Sequence, residues 1–281
     1  MTLHTDVFLR KPSPRFADAS PHMRGIPDFE RALNQHWDLH GALEQAGLRV
    51  HLLKNDDRLI DGSATDDTAI VTGKVAVFTR AGKSDPRAVE QQAIANLLAS
   101  DRILKFISPP GILSSRDVVR IGQRFYIGLS DKTNQEGAAQ LAFFLKEFGY
   151  EAFTVLPAED RLGRTLHLKN CIVPLNNGKI LIREELEHHY AFMEFKKILI
   201  PTHELAAGHG FYALETIFIP AGLPETVRVL ARNGLRVSDV QISEFEKTGS
   251  TLASLILPVP HVSREKTAVV LPLKGKQSAA A

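Results

Sequence analysis

The 281-residue sequence predicts an α/β fold made by radial repetition of one small unit, and three observations carry that reading. Helix-like stretches end at a glycine and pass directly into a short strand. Pairs of apolar strands flank a glycine turn. These hairpins recur at a nearly constant distance, with Gly73 and Gly122 separated by 49 residues and Gly122 and Gly178 by 56. A period of about fifty residues holding strands and one helix points to radial repetition rather than a linear two-domain chain.

The elements follow in chain order. Pro27–Ala46 carries apolar residues at Phe29, Leu33, Leu39 and Leu43, then Gly47 and the strand-like 48–53. Residues 69–78 read as two strands around Gly73, and 118–128 as two strands around Gly122. Asn134–Phe148 is a second helix, ended by Gly149 and followed by a strand over 150–155. Leu166–Leu175, the Asn176-Asn177-Gly178 turn and 179–182 make a third hairpin, and Tyr212–Ile219 a degenerate fourth. Pro224–Asn233 is a third helix, ended by Gly234 before the strand 235–237. Glycine just past each helix supplies the left-handed residue that stops it, and Pro27 and Pro224 suit a first helical turn.

Composition is that of an ordinary globular protein, with 44% hydrophobic and 23% charged residues. The net charge of +2 is too balanced to indicate a nucleic-acid or membrane-surface partner. A single cysteine, Cys171, rules out an intramolecular disulfide and fits a reducing compartment. The first residues lack the pattern of a signal peptide, and no run approaches 18 apolar residues, so the expectation is a cytoplasmic protein without a membrane span.

Several segments together resemble the dimethylarginine dimethylaminohydrolase family, from about Asp6 to Val259. They are Arg10-Lys-Pro-Ser13, Gly25-Ile-Pro-Asp-Phe29, Phe125-Tyr-Ile-Gly-Leu-Ser-Asp-Lys-Thr-Asn134-Gln-Glu-Gly137, Leu166-His-Leu-Lys169, Ile219-Pro-Ala-Gly222 and Gly234-Leu-Arg-Val237. The densest match is Ser243-Glu-Phe-Glu-Lys247, which leads without gaps to Ser254 and a short hydrophobic strand. The resemblance implies the pentein fold, a five-bladed α/β propeller of ββαβ repeats with pseudo-fivefold symmetry and a site in its central channel. One pentein domain over 5–259 is expected, with 260–281 as a tail outside the match.

In the family a cysteine thiolate attacks the guanidinium carbon, a histidine moves protons, paired acids grip the guanidinium and basic residues hold the substrate carboxylate. The resemblance places the histidine at His167. It puts Ser254 where the family has its cysteine, and Ser114, within Ser114-Ser-Arg-Asp117, where the family has a glutamate in Glu-x-Gly-Asp. Asp67 and Asp66 stand at the first acid pair, and Asp61 at an acid associated with the substrate amino group. Arg87 matches one carboxylate-binding arginine, and Lys132 stands at the other. Arg116 takes a small glycine's place, and its guanidinium is expected to pair internally with Asp66 and Asp67.

Loss of the nucleophile, one acid and one arginine fork in one pocket argues for natural divergence rather than a single engineered change. The expected function is therefore that of a pseudoenzyme, a binding or regulatory protein for an arginine-like or amino-acid-like small molecule. The alternative is an active hydrolase of an amidine-like or amino-acid substrate, using His167 with Ser254 or water. No cofactor, metal, nucleic acid or membrane is implied, and a homodimer is left open. Other motifs read as structural. Cys171, four residues past His167 on an extended strand, lies about 13 Å away. His203 and His209 are six apart where a helical metal pair needs four, and Gly208-His-Gly210 lacks the strand–turn–helix setting of a dinucleotide site. His188 and His189 read as part of a solvated face.

Overall fold

The computed structural model describes residues 6–19, 25–54, 58–81 and 88–260. Among the described residues fifteen strands form five three-stranded sheets, each made of an antiparallel pair plus one parallel strand reached by a crossover. The second unit is β3 (Ala69–Val71), β4 (Val75–Phe78), α2 (Ala88–Leu98) and β5 (Ile103–Phe106). The third is β6 (Val118–Ile121), β7 (Arg124–Gly128), α3 (Gln135–Glu147) and β8 (Glu151–Val155). The fourth is β9 (Ile172–Pro174), β10 (Lys179–Ile182) and β11 (Lys196–Leu199). The fifth is β12 (Phe211–Ala213), β13 (Thr216–Pro220), α4 (Pro224–Arg232) and β14 (Arg236–Val240).

The first unit is assembled from both ends of the chain. β1 (Asp6–Arg10), α1 (Phe29–Gln45) and β2 (Arg49–Leu53) lack an inner strand until β15 (Leu257–Val259) pairs antiparallel with β1, Asp6 opposite Val259. Two short helices, α5 (Ser243–Glu246) and α6 (Leu252–Leu255), lead into that last strand. This is the pentein architecture, with pseudo-fivefold symmetry.

Five separate apolar cores hold the ring, each between one unit and the next. Val71, Phe78, Ile94 and Leu98 pack against Phe8 and Leu257, whereas Leu141, Leu145 and Phe125 pack against Val75 and Val77. The fifth unit meets the first through Phe218 and Val240 against Val7, Leu9, Leu39 and Leu43. In the first, second, third and fifth units the helix thus packs between its own sheet and that of the unit before it. No unit buries its own apolar face alone, so the ring is stable only when complete.

Capping sets the helix starts. Asp28 accepts the backbone N–H of Arg31 and Asn134 that of Gly137, each satisfying an otherwise orphaned donor. The fourth unit breaks the expected pattern. Two 3-10 turns, Glu184–Leu186 and Tyr190–Phe192, replace its helix and bury Leu186 and Phe192 against the third unit. The stretch 166–175 is not one continuous strand either. A 3-10 turn over Leu168–Asn170 interrupts it, so the extended spacing expected between His167 and Cys171 does not hold, and Cys171 is fully buried. α2 has no clear amphipathic signature because Glu90 occupies one of its buried positions beside Ile94, Ala95 and Leu98. No helix among the described residues is long and apolar enough to cross a membrane. The tail assigned from 260 onward lies, past Pro260, outside the described residues.

Candidate ligand-binding site on the axis

The innermost strand of every unit is preceded by a tight helical turn. These turns are Thr65–Thr68, Ser115–Asp117, Leu168–Asn170, Leu205–His209 and α6. Four of the five carry or directly follow a residue that the resemblance places in the site. Repetition therefore gathers side chains far apart in the chain at one end of the axis.

Asp67, Thr79, Ala81, Ile112, Leu113, Ser114, Arg116, Lys132 and His167 line a single cavity of about 230 Å³ there. Arg116 covers the acid. Its Nε and Nη2 donate to the two oxygens of Asp67 at 3.2 and 2.9 Å, and its Nη1 donates to the carbonyl of Gly249 at 3.2 Å. Such a two-pronged guanidinium–carboxylate contact is the strong form of this pair. Burial works against the Arg116 charge, but Asp67 holds its pKa above the usual arginine value.

Asp66 turns the other way. It is buried, with Lys169 Nζ at 2.5 Å and the Ser115 hydroxyl at 3.1 Å, and with no bond from Arg116. The expectation that Arg116 would pair with both acids is corrected here. Adjacent residues of a turn point in different directions, and Lys169 already satisfies Asp66. Burial pushes the Asp66 carboxyl up and Lys169 pulls it back.

His167 is positioned by Asp117, a partner the sequence reading missed. His167 Nδ1 lies 2.8 Å from Asp117 Oδ1, so Nδ1 faces a carboxylate and carries a proton. Asp117 Oδ2 accepts the hydroxyls of Ser130 at 2.7 Å and Thr133 at 2.6 Å. Thr133 in turn accepts the backbone N–H of Ser114, and Asn134 accepts that of Ile112. Gly137 completes this clamp, because a Cβ there would sit 2.0 Å from the Ile112 carbonyl oxygen. The Ser130–Gly137 signature thus has a mechanical meaning: it fastens the Ser114 loop and the Asp117 carboxylate to the start of α3. The bond to Asp117 raises the His167 pKa, against the effect of burial. His167 Nε2 is 3.9 Å from the exposed Asp131, beyond hydrogen-bond distance.

Ser254 is buried on α6 and faces its own turn. Its hydroxyl donates to the carbonyl of Thr251 at 2.8 Å and accepts the Thr251 N–H at 2.9 Å. It is not among the residues lining the cavity. The Ser243–Lys247 motif acts away from the cavity, where Glu244 accepts the N–H of Asp28 and the Lys247 ammonium and so holds the start of α1. Asp61 is exposed in a turn outside the cavity lining, and Arg87 lies outside the described residues. Gly208 is explained by packing, since a Cβ there would approach the Asn170 carbonyl oxygen to 2.3 Å. His203 bonds to Glu225 at 2.9 Å, and no group of three or more potential metal ligands occurs among the described residues.

Beyond Asp66 and Lys169 the axis changes character. A second cavity of about 150 Å³ is lined by all five inner strands, with Ile70, Val119, Val173, Phe211 and Leu257 contributing one apolar wall each. The Asp66–Lys169 pair borders this second cavity, whereas Asp67 and Arg116 border the first.

No protein-family model matches the chain. The chain is 30% identical over 260 residues to the N(G),N(G)-dimethylarginine dimethylaminohydrolase of Pseudomonas aeruginosa, covering 89% of this chain and 98% of the relative. The structure of a cysteine-to-serine variant of the P. aeruginosa enzyme complexed with citrulline superposes with a TM-score of 0.83 at 30% identity, covering 92% of this chain and all of the other. A dimethylarginine dimethylaminohydrolase with a histidine-to-glycine change, as an adduct with S-methyl-L-thiocitrulline, gives a TM-score of 0.82 at 28% identity.

Proposed function

The chain belongs to the dimethylarginine dimethylaminohydrolase family, and from that premise we propose that it binds an arginine-like or amino-acid-like small molecule without performing the family's cysteine chemistry. Arg116 carries this reading. In a receptor for a substituted arginine, Asp67 would grip the guanidinium of the ligand; here Arg116 fills that role from within the chain. A free guanidinium would have to displace a tethered one, which loses far less translational freedom on pairing.

The nucleophile position supports the same reading. The interval between the substituted histidine and the substituted cysteine, as numbered in the two solved relatives, equals the interval from His167 to Ser254. Serine at that position needs a base to remove its proton. The Ser254 proton instead goes to the Thr251 carbonyl inside a buried turn. The hydrolase alternative, with His167 activating Ser254, has no contact to support it. Lys132 adds a third change, keeping positive charge but giving up the planar fork of arginine.

The test is citrulline formation from dimethylarginine by the purified chain. No turnover is expected. Ser254→Cys alone is expected to stay inactive, because Arg116 still occupies Asp67 and position 114 still lacks an acid. Ser254→Cys combined with Ser114→Glu and Arg116→Gly is the variant expected to gain activity. Robust turnover by the unmodified chain, abolished by His167→Ala, would overturn the proposal.

A further inference from the structure

The polarity of the axial cavity is inverted relative to a guanidinium receptor. Among the described residues its wall carries one carboxylate, Asp67, against Arg116, Lys132 and His167. That carboxylate is engaged on both oxygens by Arg116. The other acids nearby stand outside the lining: Asp66 is buried against Lys169, Asp117 is buried behind His167, and the exposed Asp131 contacts Lys132 at 3.2 Å.

The donors are placed differently. Nη1 and Nη2 of Arg116 each carry a second N–H beyond those given to Gly249 and Asp67, and the Arg116 side chain is 28% exposed. Nδ1 of His167 is committed to Asp117, which leaves Nε2 as the ring position for a ligand. The Ser114 hydroxyl accepts the Arg116 N–H and keeps its own proton to donate. A cavity whose acceptors are consumed and whose spare hydrogens come from a guanidinium, an imidazole and a hydroxyl suits an oxyanion, since charge-assisted bonds to carboxylate are the strongest it can form.

We propose that the part of the cavity where Arg116 covers Asp67 and His167 presents Nε2 receives the carboxylate of a small organic acid, where a substituted-arginine receptor would receive a guanidinium. The inference rests on the reading of the site as a binding site without cysteine chemistry and names the class of ligand it takes. Arg116 then has two functions, neutralising Asp67 and holding the ligand. Ligand binding should also be coupled to protons. The imidazolium form donates from Nε2, whereas the neutral form with its proton on Nδ1 offers only a lone pair. The groups facing His167 are Asp117 and Asp131, which favour the proton, and Arg116, which opposes it.

The experiment is titration of the full chain with succinate, acetate, arginine and dimethylarginine at constant ionic strength, followed by calorimetry and by the His167 imidazole resonances. Succinate or acetate is expected to bind and to perturb His167, with arginine and dimethylarginine at least about tenfold weaker than succinate. Affinity should fall as pH rises through the His167 pKa. Arg116→Gly should lower carboxylate affinity by about tenfold or more and bring guanidinium binding in its place. Arg116→Lys, which keeps the charge and tests for a general loss of structure, should retain part of the carboxylate binding. Binding of arginine but not of either acid, or acid binding unchanged in Arg116→Gly, overturns the inference. Citrulline formation in parallel samples separates the outcomes, since turnover defeats the underlying reading and its absence without acid binding defeats only this one.

Discussion

Asp66 and Asp67 are neighbours in one 3-10 turn, yet they belong to two different regions of the molecule. Asp67 borders a cavity that Arg116, Lys132 and His167 also line, and is held by a partly exposed guanidinium. Asp66 borders a cavity walled by the five inner strands, and it is the more deeply buried acid of the two, 5% exposed against 12% for Asp67, held by a Lys169 that is itself 23% exposed. The contrast shows how one turn can serve two ends of an axis. The outward acid faces a cavity and takes its cation from Arg116, whereas the inward acid is structural and must never lack a cation. Divergence can therefore rewrite the first end at little cost in stability and cannot rewrite the second one residue at a time.

The strongest way to break this comparison is Lys169→Met. It leaves a buried carboxylate unpaired and should cost about 3–5 kcal/mol in chemical denaturation. The double change Asp66→Asn with Lys169→Met should recover most of that loss; additive costs would show that the pair is not coupled. Next, Ile172→Ala in the apolar wall should cost about 3 kcal/mol by enlarging the cavity this residue borders, with no dependence on salt. At the other end Arg116→Gly should cost only about 1–2 kcal/mol, because the carboxylate it leaves behind borders an open cavity and is less deeply buried than Asp66. A loss as large as that of Lys169→Met would mean the two ends are equally structural.

Ser254→Ala tests the turn between the ends. It removes a capping-box hydroxyl and should cost about 1 kcal/mol, read as a lowered midpoint with an unchanged denaturant slope. The smallest expected effect is the pH dependence from His167. Its folded-state pKa is raised by Asp117, so the stabilisation is complete below the unfolded value of about 6.5 and is lost as pH rises through the folded one. Stability followed from pH 6 upward should decline in the unmodified chain and decline less in His167→Gln.

Much of the fold was legible in the sequence. Glycine stops and hairpin turns placed α1, α3, α4 and the hairpins of the second and third units within a residue or two, because each feature is local. The fourth unit was not, since its helix is replaced by turns that hold only through Leu186 and Phe192 against a neighbour distant in sequence. The resemblance led to five of the residues now seen on one cavity, Asp67, Ser114, Arg116, Lys132 and His167. It did not lead to Asp117, Lys169 or Ser115. These partners act through other side chains, and their spacing from the residues they serve is set only once the ring has formed. Asp117 had one available signal, the Ser130 and Thr133 hydroxyls, which lie 13 and 16 residues from a carboxylate they both bond. The direction of Ser254, turned into its own helix cap, depends on a backbone angle that sequence does not reveal.

The pairing of β15 with β1 also has a consequence for biosynthesis. Asp6, Val7 and Phe8 are made before all of the other four units, but the strand that covers their open edge is made after them. Until β15 has been made the nascent chain carries an unpaired apolar edge and an unfilled core between its newest and oldest units, which is the condition that invites mispairing with other chains. The Gly249 carbonyl that receives Arg116 Nη1 lies in the stretch leading to that strand, so the contacts around Arg116 are completed only after all five units have been made. A version of the gene with the reading frame opened between two middle units, and the present ends joined, would remove that wait and should fold faster while the chain is still being made.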